Sequence, residues 1–235
     1  MARVTTTPIV ALDYPSGAEA LRLVSSLGER CRFYKIGSEL FTAAGPGIVQ
    51  RVREAGADVF LDLKLHDIPN TVRGAARAAA ALGVRLVTVH AGGGLEMLRA
   101  AVEGGGAGVG ILAVTVLTSF DDASLADATG RPGITAREEV VRLAGIAATA
   151  GAHGIVCAGS DAPAVRAQFG DRLALLVPGI RMAGGAVHDQ RRVMTPADAA
   201  AAGATYIVLG RAVSGAADPA AAMTAVLADL EGVSV

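Results

Sequence analysis

The sequence predicts a closed (β/α)8 barrel. Its 235 residues come near the roughly 250 residues typical of one such barrel. Eight short β-rich runs alternate with helical patterns, and most of these runs are continuously apolar, which is typical of parallel strands covered on both faces. No linker-like change of composition divides the chain, so we expect residues 1–235 to form one domain. An open, doubly wound sheet is the alternative, although it rarely carries eight such regular units.

The strands are predicted where short apolar runs stand between polar or glycine-containing segments. They span residues 8–13, 33–37, 58–65, 86–90, 110–116, 154–157, 173–177 and 206–209.

The helices are predicted from apolar residues spaced three and four apart. Two such sets are Ala20, Leu23, Val24 and Leu27, and Val140, Leu143, Ala144 and Ala147. Thr135, with Glu138 three residues later, is a capping-box signature for the start of the second helix. Further helices are predicted over residues 70–81, 196–202 and 218–230.

Composition excludes several function classes. The formal net charge is −1, so the chain offers no basic field to a nucleic acid or an anionic membrane. Only two cysteines occur, too few for a disulfide framework or a cysteine-based zinc site. With neither an apolar signal region nor an uncharged apolar run of membrane-spanning length, we expect a cytoplasmic protein.

The two lysines stand apart from the other basic residues. Of 21 basic residues, 19 are arginine and only Lys35 and Lys64 are lysine. Both lie in predicted strands, where an ionisable side chain is costly unless it is paired. Asp62 and Lys64 are two residues apart, so a strand directs them to the same side. Together with Asp13 and Asp67 they predict an alternating carboxylate and ammonium site that can deliver a proton; a purely structural ion-pair network is the alternative.

Two long connections follow strands, over residues 117–133 and 178–192. Loops after strands lie at the C-terminal face of a barrel, where its active sites are found. Both loops are therefore predicted to border the site, with plain surface loops as the alternative.

The segment LDLKLHDIPNT at residues 61–71 resembles the D-x-K-x-x-D signature of the orotidine 5′-phosphate decarboxylase family. The resemblance continues in ALD at 11–13, FYKIG at 33–37, LTS at 117–119, PGIR at 178–181, DQRRVMTP at 189–196 and VLGR at 208–211. D-x-K-x-x-D alone is shared with sugar-phosphate decarboxylases and synthases of the same superfamily. The IPNT, PGIR and D-Q-x-R segments are specific to the orotidylate branch.

The resemblance implies decarboxylation of orotidine 5′-phosphate to UMP and CO2, the last step of de novo pyrimidine synthesis, without metal or organic cofactor. It implies that Lys64 gives the proton to C6 and that Asp62 lies beside the departing carboxylate. Lys35 would bridge Asp62 and the ribose, and Asp13 would accept from a ribose hydroxyl. Asp67 and Thr71 would reach into the neighbouring site of a homodimer.

The resemblance also implies the remaining substrate contacts. Thr118 and Ser119 would meet the pyrimidine edge, and the phosphate would be held by Arg181, Gln190, Arg211 and the backbone N–H of Gly210. The other substrate-binding residues implied are Ile68 and Pro178. Two other functions stay open: a sugar-phosphate lyase that needs a divalent metal, and a non-catalytic phosphate-binding barrel. The role of His90, at the end of the fourth predicted strand, is also open.

Overall fold

A computed structural model describes residues 6–182 and 194–232. Eight parallel strands close into a barrel in sequence order, and β1 pairs with β8 through Thr7 and Tyr206 at the closing seam. The strands are β1 Thr7–Ala11, β2 Phe33–Gly37, β3 Asp58–Leu65, β4 Leu86–His90, β5 Gly110–Val114, β6 Gly154–Val156, β7 Ala174–Val177 and β8 Tyr206–Leu209. The predicted barrel is confirmed, and closure of the seam excludes the open doubly wound sheet.

The strand predictions need only small corrections. β2, β3, β4 and β8 have the predicted bounds. β5, β6 and β7 differ by one or two residues at one end, and β1 differs by one residue at its start and two at its end. The correction with a consequence is in β1, which ends at Ala11, so Asp13 follows the strand instead of ending it. Asp13 thereby lies on the loop above the barrel mouth.

The helices of the described residues cover the outside of the barrel. They are α1 Gly17–Leu27, α2 Ser38–Ala44, α3 Gly47–Glu54, α4 Pro69–Ala81, α5 Gly94–Gly105, α6 Asp122–Thr129, α7 Ala136–Ala150, α8 Ala162–Phe169, α9 Pro196–Ala201, α10 Arg211–Ser214 and α11 Pro219–Glu231. The predicted capping box is confirmed: Thr135 accepts from the backbone of Glu138, whose side chain bonds back to Thr135. None of these helices is long and apolar enough to cross a membrane.

Side chains alternate in direction along each strand and so contribute to two apolar layers, one inside the barrel and one between the strands and the helices. Every second strand residue points into the barrel, where Ile9, Phe33, Phe60, Leu86 and Leu112 belong to one buried cluster with Leu176 and Tyr206. The residues between them pack outward against the helices in a second, larger cluster. Residues two apart share a face, so the inward-facing positions at or just beyond the C-terminal ends of the first four strands are Asp13, Lys35, Asp62 and His90. The apolar barrel interior therefore ends in a layer of polar and charged residues.

Close packing of α4 against α5 fixes the wall beside this layer. A Cβ at Gly104 would lie 2.3 Å from the backbone oxygen of Arg73, so the two helices touch at a glycine. An ion pair between Arg73 and Glu103, at 3.0 Å, crosses the same contact. The first half of α4, which follows the charged end of β3, is thereby packed against the C-terminal end of α5.

Candidate active site

Four charged side chains, one from just after β1, one from β2 and two from β3, meet at the C-terminal end of the barrel. Lys35 Nζ donates to Asp13 Oδ1 over 2.8 Å and lies 3.7 Å from Asp62 Oδ2. Lys64 Nζ donates to Asp62 Oδ1 over 2.8 Å. The order Asp13, Lys35, Asp62, Lys64 therefore alternates in charge, and we call these four residues the charge relay.

The inner and outer members of the charge relay differ in exposure. The side chains of Lys35 and Asp62 are 11% and 13% exposed, whereas those of Lys64 and Asp13 are 40% and 55% exposed. Buried charges need close partners of opposite sign. Lys35 and Asp62 are such partners for each other, and each also pairs with a more exposed group, Asp13 or Lys64. The two ends face solvent, where a ligand can reach them.

The backbone of β3 is irregular at Lys64. Its φ is 51°, and it is the only residue other than glycine with a positive φ in the described ranges. The register between β3 and β4 shifts between Leu61 and Leu65. The predicted strand over residues 58–65 is confirmed, and the side chains of Asp62 and Lys64 meet, although the left-handed conformation at Lys64 interrupts the regular pleat.

Asp67, Ile68 and Thr71 are exposed at the start of α4, and within residues 6–182 and 194–232 none of them bonds to the charge relay. The Asp67 carboxylate accepts from the backbone N–H of Ile68 over 2.6 Å and makes no ion pair within residues 6–182 and 194–232. Ile68 is 68% exposed, an unusual position for a large apolar side chain. Within the described part of this chain Asp67 forms no ion pair with Lys64, so its place in one cluster with Asp62 and Lys64 stays a prediction.

Two guanidinium groups lie near each other across the ends of β7 and β8. Arg181 is buried, and its Nε finds no hydrogen-bond partner among the described residues. Burial first, and then the nearby charge of Arg211, lower the pKa of the Arg181 guanidinium. Arg211 begins α10 directly after Gly210, and Pro178 follows β7. Two cations that repel each other, one with an unused donor, make a site suited to an anion.

The predicted phosphate contact Gln190 lies outside the described residues, as does most of the 178–192 connection. The two sides of that segment are tied together, because the backbone N–H of Arg181 donates to the carbonyl oxygen of Met194 over 2.9 Å. Arg181 is therefore held by backbone bonding as well as by burial.

Thr118 and Ser119 occupy the middle of a turn closed by a 3.0 Å bond from Phe120 N to the oxygen of Leu117. The rest of the predicted 117–133 loop is corrected, because it contains helix α6. Asp121 caps α6 by accepting from the backbone N–H of Ser124, and this Asp-x-x-Ser pattern is the local signal that could have predicted the helix.

Two residues of β4 complete the surroundings of the charge relay. Thr88 is fully buried, and its hydroxyl contacts both Asp62 and the backbone of Lys64. The His90 ring lies 5.5 Å from that of His66. Burial, followed by the charges of His66 and Lys64, lowers the pKa of His90. The sequence signal for the contact between Thr88 and Asp62 was an inward-facing threonine in the mainly apolar strand β4.

No group of three or more His, Cys, Asp or Glu side chains in residues 6–182 and 194–232 is placed to hold a metal ion. The cations in the site are ammonium and guanidinium groups.

Comparison with known proteins decides the family. A family model described as the orotidine 5′-phosphate decarboxylase / HUMPS family matches residues 6–226, nearly the whole chain. The chain belongs to this family. Among its relatives, a protein of Anaeromyxobacter dehalogenans named orotidine 5′-phosphate decarboxylase is 54% identical over 220 residues, covering 94% of this chain and 96% of its own length. A protein of the same name from Halorhodospira halophila is 50% identical over 227 residues, covering 94% of each chain.

Solved structures of orotidine 5′-phosphate decarboxylase family members share the barrel. The orotidine 5′-phosphate decarboxylase of Lactobacillus acidophilus superposes with a TM-score of 0.85 at 35% identity, covering 97% of this chain and all of its own. That of Pyrococcus horikoshii superposes with a TM-score of 0.78 at 26% identity, with the same coverage. The family resemblance predicted from residues 61–71 is confirmed.

Proposed function

We propose that this chain decarboxylates orotidine 5′-phosphate to UMP and CO2, with Lys64 as the proton donor to C6 and without a cofactor. The observation that carries the proposal is the charge relay, which ends in a half-exposed ammonium above a buried carboxylate. The relatives that are 54% and 50% identical in sequence are named orotidine 5′-phosphate decarboxylase, which supports the same substrate for this chain.

The chemistry follows from the charges. When the bond between C6 and the carboxylate breaks, its electron pair stays on C6 and CO2 leaves. The carbanion needs a fixed cation nearby and then a proton, and the Lys64 ammonium supplies both. Asp62 is held by Lys64 at one oxygen and by Lys35 at the other, and it lies beside the departing carboxylate. Because both carboxylates are negative, their repulsion raises the free energy of the bound substrate more than that of the transition state. Neutral Lys64 then regains its proton from water.

The rest of the substrate is matched by groups around the barrel mouth. Lys35 and Asp13 bind the ribose hydroxyls, and Thr118 and Ser119 meet the pyrimidine edge. Arg181 and Arg211 hold the phosphate in bidentate fashion, a geometry that suits guanidinium groups. The remaining proposed contacts are Pro178, Gly210 and Gln190. The unused donor of Arg181 supports an anion at this position.

We propose further that the functional unit is a homodimer. Asp67 and Thr71 stand at the exposed start of α4, and neither bonds to the charge relay within the described part of their own chain. Exposed Ile68 lies between them and offers apolar surface for a second copy. Asp67, Ile68 and Thr71 would then complete the neighbouring site.

Residues 1–235 are proposed to act as one catalytic domain in the cytoplasm. The closed barrel provides one continuous outer core, and both cysteines are buried thiols that form no disulfide, which suits a reducing compartment.

The family description also covers sugar-phosphate chemistry, and a metal-dependent lyase is the second candidate. The deciding experiment follows the loss of ultraviolet absorbance of orotidine 5′-phosphate in buffer containing EDTA. Turnover that is unchanged by EDTA and absent in Lys64→Ala supports the proposal. A wild-type enzyme that is inert toward this substrate, or that needs an added divalent metal, overturns it.

A further inference from the structure

The buried hydroxyl of Thr88 joins two parts of β3 that the proposed reaction uses. Thr88 Oγ1 donates to Asp62 Oδ1 over 2.9 Å and accepts from the backbone N–H of Lys64, also over 2.9 Å. A hydroxyl has one hydrogen to donate and lone pairs to accept with, so one Thr88 side chain serves both contacts. Thr88 is 0% exposed, so bulk water does not compete for either bond.

The bond to Lys64 stabilises an unfavourable backbone. A side chain at φ 51° is strained in this left-handed region, and such a conformation persists only when its surroundings hold it. The strand register shifts at the same point, so the Lys64 N–H bonds to the Thr88 side chain. Loss of that acceptor would leave a polar group unsatisfied and release the constraint on the direction of the Lys64 side chain.

The bond to Asp62 fixes the orientation of its carboxylate. The terminal torsion of an aspartate is soft and roughly two-fold, so rotation is opposed mainly by hydrogen bonds. Oδ1 accepts from both Lys64 and Thr88, which leaves Oδ2 toward Lys35. Thr88 thus keeps each carboxylate oxygen with its own lysine.

We infer that Thr88 is a positioning residue for the decarboxylation, holding the Lys64 ammonium and the Asp62 carboxylate in the arrangement that the transition state requires. This inference rests on the proposed function. Thr88 acts through these two residues and does not itself touch the substrate.

The test compares Thr88→Val, which keeps the shape and removes the hydroxyl, with Thr88→Ser, which keeps the hydroxyl. The matched control is Thr115→Val: Thr115 is also buried, just after β5, but its hydroxyl donates to the backbone oxygen of Val156 over 2.7 Å. Each protein is assayed for kcat and KM with orotidine 5′-phosphate, for UMP affinity by calorimetry, and for amide hydrogen exchange at Lys64.

We expect kcat of Thr88→Val to fall roughly 10- to 100-fold, the loss typical of a hydrogen bond to a charged group. KM and the Kd of UMP should stay within about threefold, because the ground state uses these contacts less than the transition state does. Exchange at the Lys64 amide should become faster. Thr88→Ser and Thr115→Val should keep kcat within about threefold of the wild type.

Three results would overturn the inference: nearly unchanged kcat in folded Thr88→Val, an equal loss in Thr88→Ser, or an equal loss in Thr115→Val. Should Thr88→Val fail to fold, Thr88→Ala takes its place under the same criteria. A wild-type protein without decarboxylase activity contradicts the proposed function instead, so the two failures are distinguishable.

Discussion

Lys64 and Asp62, two residues apart on β3, are joined directly, with Lys64 Nζ donating to Asp62 Oδ1 over 2.8 Å. The other carboxylate oxygen faces Lys35, so the only two lysines of the sequence converge on one buried carboxylate. Arginine fills every other basic position. The use of lysine at these two sites is consistent with a requirement for a compact ammonium that can release a proton.

Replacement of Lys64 by arginine separates proton donation from ion pairing. We expect Lys64→Arg to lose at least the roughly 10²- to 10⁴-fold assigned to general acid catalysis. Arginine retains the charge beside Asp62 but gives up its proton reluctantly, because its pKa exceeds about 12. The melting temperature should change little by comparison. Turnover and thermal melting are measured on one preparation, and near-wild-type turnover would exclude Lys64 as the donor.

Mixed dimers test whether Asp67 serves the neighbouring site. Lys64→Ala and Asp67→Ala should each be inactive alone, and subunit exchange between them should restore activity, because one site in each heterodimer carries neither defect. Lys64→Ala mixed with Asp62→Ala is the matched control and should stay inactive, since these two residues meet within one chain. Absence of recovery in the first mixture, after verified exchange, would place Asp67 and Lys64 in the same site.

Binding of the phosphate by Arg181 and Arg211 should contribute to the rate although these residues are remote from C6. We expect Arg211→Ala to lower kcat/KM by at least about two orders of magnitude, because remote binding energy orients the reacting centre. Orotidine without its phosphate should be a very poor substrate for the same reason. Arg99→Ala, which removes only an exposed ion pair with Glu96, is the control and should behave like the wild type. A nucleoside that reacts nearly as fast as the nucleotide would refute this role of the arginines.

The pH dependence of stability should carry a contribution from His153, at the opposite end of the barrel. Burial, followed by the charge of Arg85, lowers the pKa of His153 below its ordinary value of 6.5. The unfolded chain therefore binds this proton more tightly than the folded protein. The free energy of unfolding should be highest above that ordinary pKa and fall as the pH drops toward the lowered one.

In His153→Gln this decrease should be smaller than in the wild type, since the glutamine amide does not titrate. The variant can keep a hydrogen bond to the Tyr206 hydroxyl, which lies 3.2 Å from His153 Nε2. Denaturant unfolding is measured at several pH values from about 5.5 to 8, a range chosen around the histidine pKa. His90, whose pKa is lowered in the same direction, leaves part of the slope in place. An unchanged slope in the variant would contradict the contribution of His153.

The barrel and most of its charged layer follow from local patterns in the sequence. Continuous apolar runs are local features, and each predicts a strand within one or two residues of its observed ends. The same parity that places Phe33 and Phe60 inside the barrel brings Lys35 and Asp62 to its mouth. The pairing of Lys35 with Asp13 also follows, because parallel strands present their C-terminal ends at one edge.

The finer geometry of the site arises from contacts between segments that are distant in the chain. The left-handed backbone at Lys64 depends on a hydrogen bond to Thr88, 24 residues further along the chain, so no local pattern predicts it. The bond of the Asp67 carboxylate to the backbone N–H of Ile68, at the turn between β3 and α4, is likewise a feature of the folded chain. The proximity of Arg181 and Arg211 depends on the pairing of β7 with β8. Periodicity specifies which face of an element a residue occupies, whereas contacts between distant segments are fixed only when those faces pack together.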